Sequence, residues 1–150
     1  MPIIEETIQI NAPRETVYRI SQDYNVRYEW DPFPDRLEML GGGDYTPQLG
    51  RRVFVRSKLG MSMVVEFVQL NPPSRSAVAM ISGPWFLEKF AGSWIFDEIS
   101  VTQTKTRFRY ALHAQPAFLR PIIEIIAILY FKDIVHKRLL SLKQFCERTT

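Results

Sequence analysis

The side chains of this chain able to move a proton or attack an electrophile are few. There are two histidines, His113 and His136, one cysteine, Cys146, and six tyrosines. A Ser–His–acid triad needs a nucleophile on a sharp strand-to-helix turn, and no Gly-x-Ser-x-Gly run is present. Cys146 sits on an apolar helical stripe near the end of the chain and reads as a buried structural thiol. His136 falls on the polar side of the same helix. His113 shares strand parity with Arg107 and Arg109, away from Phe108, Tyr110 and Leu112. Gly41-Gly42-Gly43 lacks the strand–turn–helix setting and the Lys-Ser/Thr partner of a phosphate loop and reads as a flexible turn. What remains for acid–base work is Tyr18, Tyr28, Tyr110, Tyr130 and Glu124, with Arg107 or Arg109 if the strand parity is reversed. Each is equally an ordinary residue of a core edge. No catalytic residue is assigned, and no metal-ligand set or cofactor motif is found.

Glu124 is the most unusual of these, because of the element that carries it. Residues 117–147 read as one long helix after Pro116. At about 100° per residue, Ile128, Phe131, Val135, Leu139, Leu142 and Cys146 form one inward stripe. Extended backwards, the stripe includes Glu124. Unpaired burial would penalise its charged form. Two readings stand open: a polar anchor or acid/base inside a pocket, or a carboxylate left wet at a mouth or paired with an arginine. The opposite face begins with Ile122, Ile125, Ile126 and Leu129 and turns polar at Lys132, Asp133, His136 and Lys143. That patch is either covered by other helices or free for a second copy of the chain, a lid or a membrane surface.

The rest of the chain supplies the sheet this helix must cover. Met1–Ile10 alternates, with Ile8 and Ile10 on the apolar side. Asn11-Ala12-Pro13 opens a short helix packed through Val17, Tyr18 and Ile20. Asp23–Glu29 reads as a second short helix, ended by Asp31-Pro32-Phe33-Pro34. Strands follow over Arg36–Leu40, Arg51–Lys58, Met61–Leu70, Arg75–Ser82, Leu87–Ile99 and Thr104–Gln115, joined by turn residues. Sequential antiparallel strands make a meander, and one face then needs a cover.

Composition sets the outer bounds. One hundred and fifty residues, 46% hydrophobic and 13% aromatic, suit a single soluble domain with its own core. The net charge of +3 is spread along the chain, so no nucleic-acid partner is expected. A lone cysteine admits no internal disulfide, which together with the absence of a visible signal peptide predicts a cytoplasmic protein. The apolar run Ile122–Phe131 is too short to span a bilayer.

The segment Ile10-Asn11-Ala12-Pro13-Arg14-Glu15-Thr16-Val17-Tyr18, then Ile20-Ser21-Gln22-Asp23-Tyr24, then Arg27-Tyr28-Glu29-Trp30-Asp31-Pro32, resembles the START-like helix-grip superfamily, in its polyketide cyclase/dehydrase and lipid-transport branch. The likeness covers the element order of the whole chain but matches as a motif only over residues 10–32, where it is mostly structural. It implies an α+β fold: a curved antiparallel sheet of about seven strands around a long C-terminal helix, with two short helices after strand 1 and a hydrophobic cavity between. Members bind lipids, polyketides, hormones, quinones or aromatic hydrocarbons, and some are cyclases.

Strand faces then give the cavity candidates: Met63, Val65 and Phe67; Phe90, Trp94 and Phe96; Phe108, Tyr110 and Leu112. Tyr18 and Trp30 join from the short helices, and Glu124, Ile128 and Phe131 from the long one. Methionines and rings suit adaptable apolar recognition, and equally a filled core. The expected function is binding of a hydrophobic small molecule, a lipid, polyketide or aromatic compound. The alternative is a polyketide cyclase/dehydratase that uses a cavity tyrosine or glutamate as acid/base.

Overall fold

The computed structural model describes residues 2–149; Met1 of the predicted first strand lies outside them. Strand β1 (Ile3–Ile10) is followed by helices α1 (Arg14–Gln22) and α2 (Arg27–Trp30). Six strands come next: β2 (Pro34–Met39), β3 (Arg52–Ser57), β4 (Ser62–Asn71), β5 (Arg75–Ser82), β6 (Leu87–Ser100) and β7 (Gln103–Ala114). Helix α3 (Arg120–Thr149) closes the chain. The strands form one seven-stranded antiparallel sheet in the order β1-β7-β6-β5-β4-β3-β2. This is the helix-grip architecture: a sheet curled around one long helix.

The curl has local causes. Pairing between β4 and β5 slips at Val64/Val65 and at Phe67/Gln69, and between β2 and β3 at Pro34/Arg36. Each irregularity bends its strand and increases local twist. After β2 the chain turns through Gly41, Gly42 and Gly43, at φ of 96°, 75° and 76°. Three successive positive φ angles favour glycine strongly.

Alternation along the strands sends Met63, Val65, Phe67, Phe90, Trp94, Phe96, Phe108, Tyr110 and Leu112 inward, and all are buried. Helix α3 meets them with Ala127, Phe131, Val135, Arg138, Leu139, Leu142 and Cys146. Burying each large apolar side chain contributes roughly 1.5–3 kcal/mol, so this seam dominates the fold. The predicted stripe is rotated slightly at its start: Ala127 is buried while Ile128 is only half-buried against the core edge. The helix also begins at Arg120 instead of 117, because Leu119 and Arg120 first bond back to Pro116 and Ala117 in tight turns.

The second short helix is shorter than the predicted Asp23–Glu29. The Asp23 carboxylate accepts the Asn25 N–H at 3.0 Å, a local turn that competes with helix there. Helical structure starts only at Arg27. The short helices do not cover the outward patch of α3: Ile122, Ile125, Ile126 and Leu129 are 59–68% exposed.

Candidate functional site

Against the inner face of the sheet, under residues 22–37 and Arg138 of α3, lies a small cavity of about 70 Å³. Strand residues Val55, Met63, Val65, Val78, Phe90, Trp94, Phe108 and Tyr110 line it, and Tyr24, Arg27, Asp31, Phe33 and Leu37 close one side. Arg138 reaches in from α3. Position 92, between inward-facing Phe90 and Trp94, is glycine, and the rings of β7 close over it. A Cβ there would lie 3.4 Å from both the Phe108 and Tyr110 rings. Those rings form a tight wall, with Trp94–Phe108 centroids 4.4 Å apart, Phe108–Tyr110 4.7 Å and Phe90–Tyr110 4.9 Å.

One end of the cavity is charged. The Asp31 carboxylate, with no exposed side-chain surface, accepts from four donors. Arg138 Nε reaches Oδ1 at 3.1 Å and Nη2 reaches Oδ2 at 2.8 Å, a bidentate pair. Arg27 Nη1 reaches Oδ2 at 3.3 Å, and the Phe33 backbone N–H reaches Oδ1 at 3.0 Å. Arg138 uses Nη1 to donate to the Tyr110 hydroxyl oxygen at 2.5 Å. Arg27 donates its remaining Nη to the Ser21 carbonyl. The Arg138 guanidinium lies over the rings of Phe108, Phe33 and Trp94 at 4.7, 5.1 and 5.5 Å, and that of Arg27 over Tyr24 at 4.4 Å. Such stacking suits the weakly hydrated guanidinium.

Burial pushes the Tyr110 hydroxyl up to about 12, against the opposing pull of Arg138. Burial alone would depress Arg138. The Asp31 carboxylate and then Tyr110 more than offset that, and its pKa is raised. A second polar string borders the cavity: Ser76 Oγ donates to Gln22 Oε1 at 2.7 Å, and Gln22 Nε2 to Ser21 Oγ at 3.0 Å.

Six of the cavity candidates, Met63, Val65, Phe90, Trp94, Phe108 and Tyr110, line this space. Tyr18, Phe67, Phe96 and Leu112 instead pack in the surrounding core; the Tyr18 ring, for one, meets Phe96 edge-on at 5.7 Å. Trp30 stands behind Trp94, centroids 6.0 Å apart. Glu124 is not at the cavity. It sits half-buried at the start of α3, accepting the Ala114 N–H at 3.1 Å with His113 Nδ1 4.0 Å away. Its carboxylate ties the helix to the end of β7: it stands outside the cavity, and its partner is a backbone N–H and not the arginine of the sequence reading. Arg107 and Arg109 pair with Asp97 and Glu5 on the outer face. Cys146 is fully buried and burial pushes its thiol up to about 12. Among the described residues no His/Cys/Asp/Glu group could hold a metal ion.

Phe131 and Ile126 belong to a different hollow. An apolar groove of about 340 Å³ opens on the surface between Leu59, Met61, Trp85, Phe86, Ile123, Ile126, Ala127, Tyr130 and Phe131. The Phe131 ring stands between the groove and the cavity, 4.9 Å from Tyr110 and 5.2 Å from Phe90. Ile128 lines neither space.

The profile of the family described as polyketide cyclase/dehydrase and lipid transport matches residues 1–147. The chain belongs to this polyketide cyclase/dehydrase and lipid transport family. Solved structures share its START-like fold at low identity. A START superfamily protein from Mycobacterium smegmatis superposes with TM-score 0.78 at 11% identity, over 99% of each chain. A protein from Thermus thermophilus gives 0.80 at 14%, over 99% of each chain. The Zhui aromatase/cyclase from a Streptomyces species gives 0.77 at 16%, over 98% of this chain and 94% of that one. No curated protein sequence matches the chain. Within the family fold, the buried Arg27–Asp31–Arg138–Tyr110 cluster is the part that sequence reasoning missed. A signal was there. Arg138 follows Phe131 by seven residues, which at about 100° per residue returns it to within about 20° of the same direction.

The cluster's geometry sets two expected outcomes. Asp31→Ala strands two buried guanidiniums and is expected to cost roughly 3–5 kcal/mol in urea unfolding; a loss under about 1 kcal/mol would mean the charges find other partners or water. Tyr110 stays protonated in the folded state where an unfolded tyrosine ionises, so its contribution to stability is complete below about pH 10 and fades as pH rises towards 12. An ultraviolet pH titration should show a late tyrosinate step that Tyr110→Phe removes.

Proposed function

We propose that the protein binds a hydrophobic small molecule, a lipid, polyketide or aromatic compound, in the cavity against the inner face of the sheet, under Arg138 of α3. The observation that carries this reading is an aromatic-lined hollow in the core with a few convergent polar groups at one end. Family membership supports it. At about 70 Å³ the cavity is smaller than an engineered cavity of about 150 Å³ that admits benzene. Occupancy therefore requires side chains to move. Phe131, between the cavity and the outer groove, is the ring whose rotation would join the two.

A second reading, a polyketide cyclase/dehydratase, is favoured by one observation. The Tyr110 hydroxyl at the cavity wall is held by Arg138, a neutral acid next to a fixed cation, able to donate a proton to a carbonyl as it becomes an enol. The structurally similar Zhui protein is an aromatase/cyclase. Under this reading Tyr110, and not Glu124, is the acid/base.

The groove and the α3 patch supply the route in. Trp85, Phe118, Ile122, Ile125, Ile126 and Leu129 are 59–80% exposed; exposed Lys132 follows Leu129 by three residues on α3, and exposed Lys58 precedes Leu59 of the groove in sequence. Apolar side chains with lysines near them in sequence suit a lipid surface carrying negative charge. This surface is where an apolar ligand would be exchanged.

Native mass spectrometry of the freshly purified protein, repeated after denaturation, tests the binding reading. A bound apolar mass released on unfolding is expected, and Trp94→Ala should lose it while Glu124→Gln keeps it. Equal retention by both variants would move the ligand out of the cavity. Flotation with anionic vesicles tests the surface: Ile126→Glu should reduce recovery with the lipid. Unchanged flotation, or a shift from dimer to monomer mass in light scattering, would assign the patch to nothing lipidic or to a second copy.

A further inference from the structure

Two hydrogen-bond donors at the charged end of the cavity have no acceptor among the described residues. Arg27 lines the cavity, its side chain is 5% exposed, and its Nε–H is buried without a partner. Tyr110 also lines it. Its oxygen accepts from Arg138 Nη1, and among the described residues its own O–H has no acceptor. A buried donor left unpaired is costly and rare in native structures. Charge points the same way. Arg27 and Arg138 bring two permanent cations, and Asp31 brings the one carboxylate that contacts them. The cluster therefore holds an excess positive charge beside a cavity otherwise walled by rings and aliphatic side chains.

From these observations we infer that the cavity's ligand carries a carboxylate at one end of an apolar body, with the carboxylate seated against Arg27 Nε and the Tyr110 hydroxyl. This inference deepens the proposed binding function and rests on it. The carboxylate would complete two open donors and neutralise the surplus charge where water is largely excluded. The apolar body would lie along Phe90, Trp94 and Phe108. Arg138 would not be a direct ligand, since Asp31 takes its Nε and Nη2. It acts through Tyr110, fixing the hydroxyl so that its proton is free to point away.

The test compares 2-naphthoate with 2-naphthamide, which share size and shape and differ in charge, each titrated into the full chain and followed by tryptophan fluorescence and calorimetry. Naphthoate should bind about tenfold tighter than the amide, the scale of one charge-assisted hydrogen bond. Tyr110→Phe, which keeps the ring, should cut that preference to about threefold or less. Arg27→Met should remove it, and circular dichroism separates that result from misfolding. If both probes bind equally to the unaltered protein, the carboxylate inference is overturned and the apolar binding function stands. If neither binds, both fail. If the preference survives in Tyr110→Phe and in a folded Arg27→Met, the anion sits elsewhere and the assignment is wrong.

Discussion

Asp31 links the short helices, the long helix and the sheet through one carboxylate. It sits in the turn between α2 and β2, and its carboxylate bonds to an arginine one helical turn earlier and to another 107 residues later. That arginine, on α3, continues to Tyr110 on β7. One fully buried acid thus joins the short-helix layer, the gripped helix and strand β7 of the sheet. Removing two guanidiniums and a carboxylate from water costs several kcal/mol per ion, and only near-complete pairing offsets it. Four donors satisfy the carboxylate and aromatic rings lie beneath Arg138, which leaves Arg27 Nε as the unpaired group of the three ions. In return the pairing is directional. Apolar burial would tolerate small shifts of α3 along the sheet, whereas a bidentate pair tolerates almost none.

The same constraint shapes the cavity. Arg138 is pinned to Asp31 at one end, and Phe131, two turns earlier on the same face of α3, packs against Phe33, Phe90 and Tyr110. The helix is therefore fixed at a height set by large side chains, and the strands bulge beneath it. Glycine at 92 lets the Phe108 and Tyr110 rings pack against the backbone of β6. The result is a hollow with a polar, cationic end under Arg138 and an apolar end behind Phe131.

Most of the fold could be read from the sequence because the strands carry their own punctuation. Gly41–Gly43, Leu59-Gly60, Asn71-Pro72-Pro73 and Gly83-Pro84 mark turns, and inward alternation from Met63 to Leu112 is unbroken enough to give faces. The errors lie at ends. Asp23 and Asn25 delay α2 by local side-chain bonds, and α3 starts after two tight turns that apolar periodicity cannot register. Element ends depend on a few specific hydrogen bonds, whereas their interiors depend on a repeated pattern.

The site was less legible, for a physical reason that Glu124 and Arg138 illustrate together. Both lie on the inward stripe of α3. Glu124 draws attention as the acid nearest the apolar end, yet it stands where the helix leaves the sheet and finds a backbone N–H. Arg138 sits among Lys137 and Lys132 and reads as one more surface base, yet it is at the centre of the grip. Hydropathy ranks a residue by its own cost of burial. That cost is decided by partners far away in sequence, and Asp31 and Tyr110 are the partners that make an inward arginine stable. A cluster of this kind becomes visible in sequence only when angle overrides polarity. Position 138 is inward by spacing, so its charge should be taken as evidence of a buried acid elsewhere, and Asp31, flanked by Trp30 and Pro32 at the end of a short helix, is the acid that answers it.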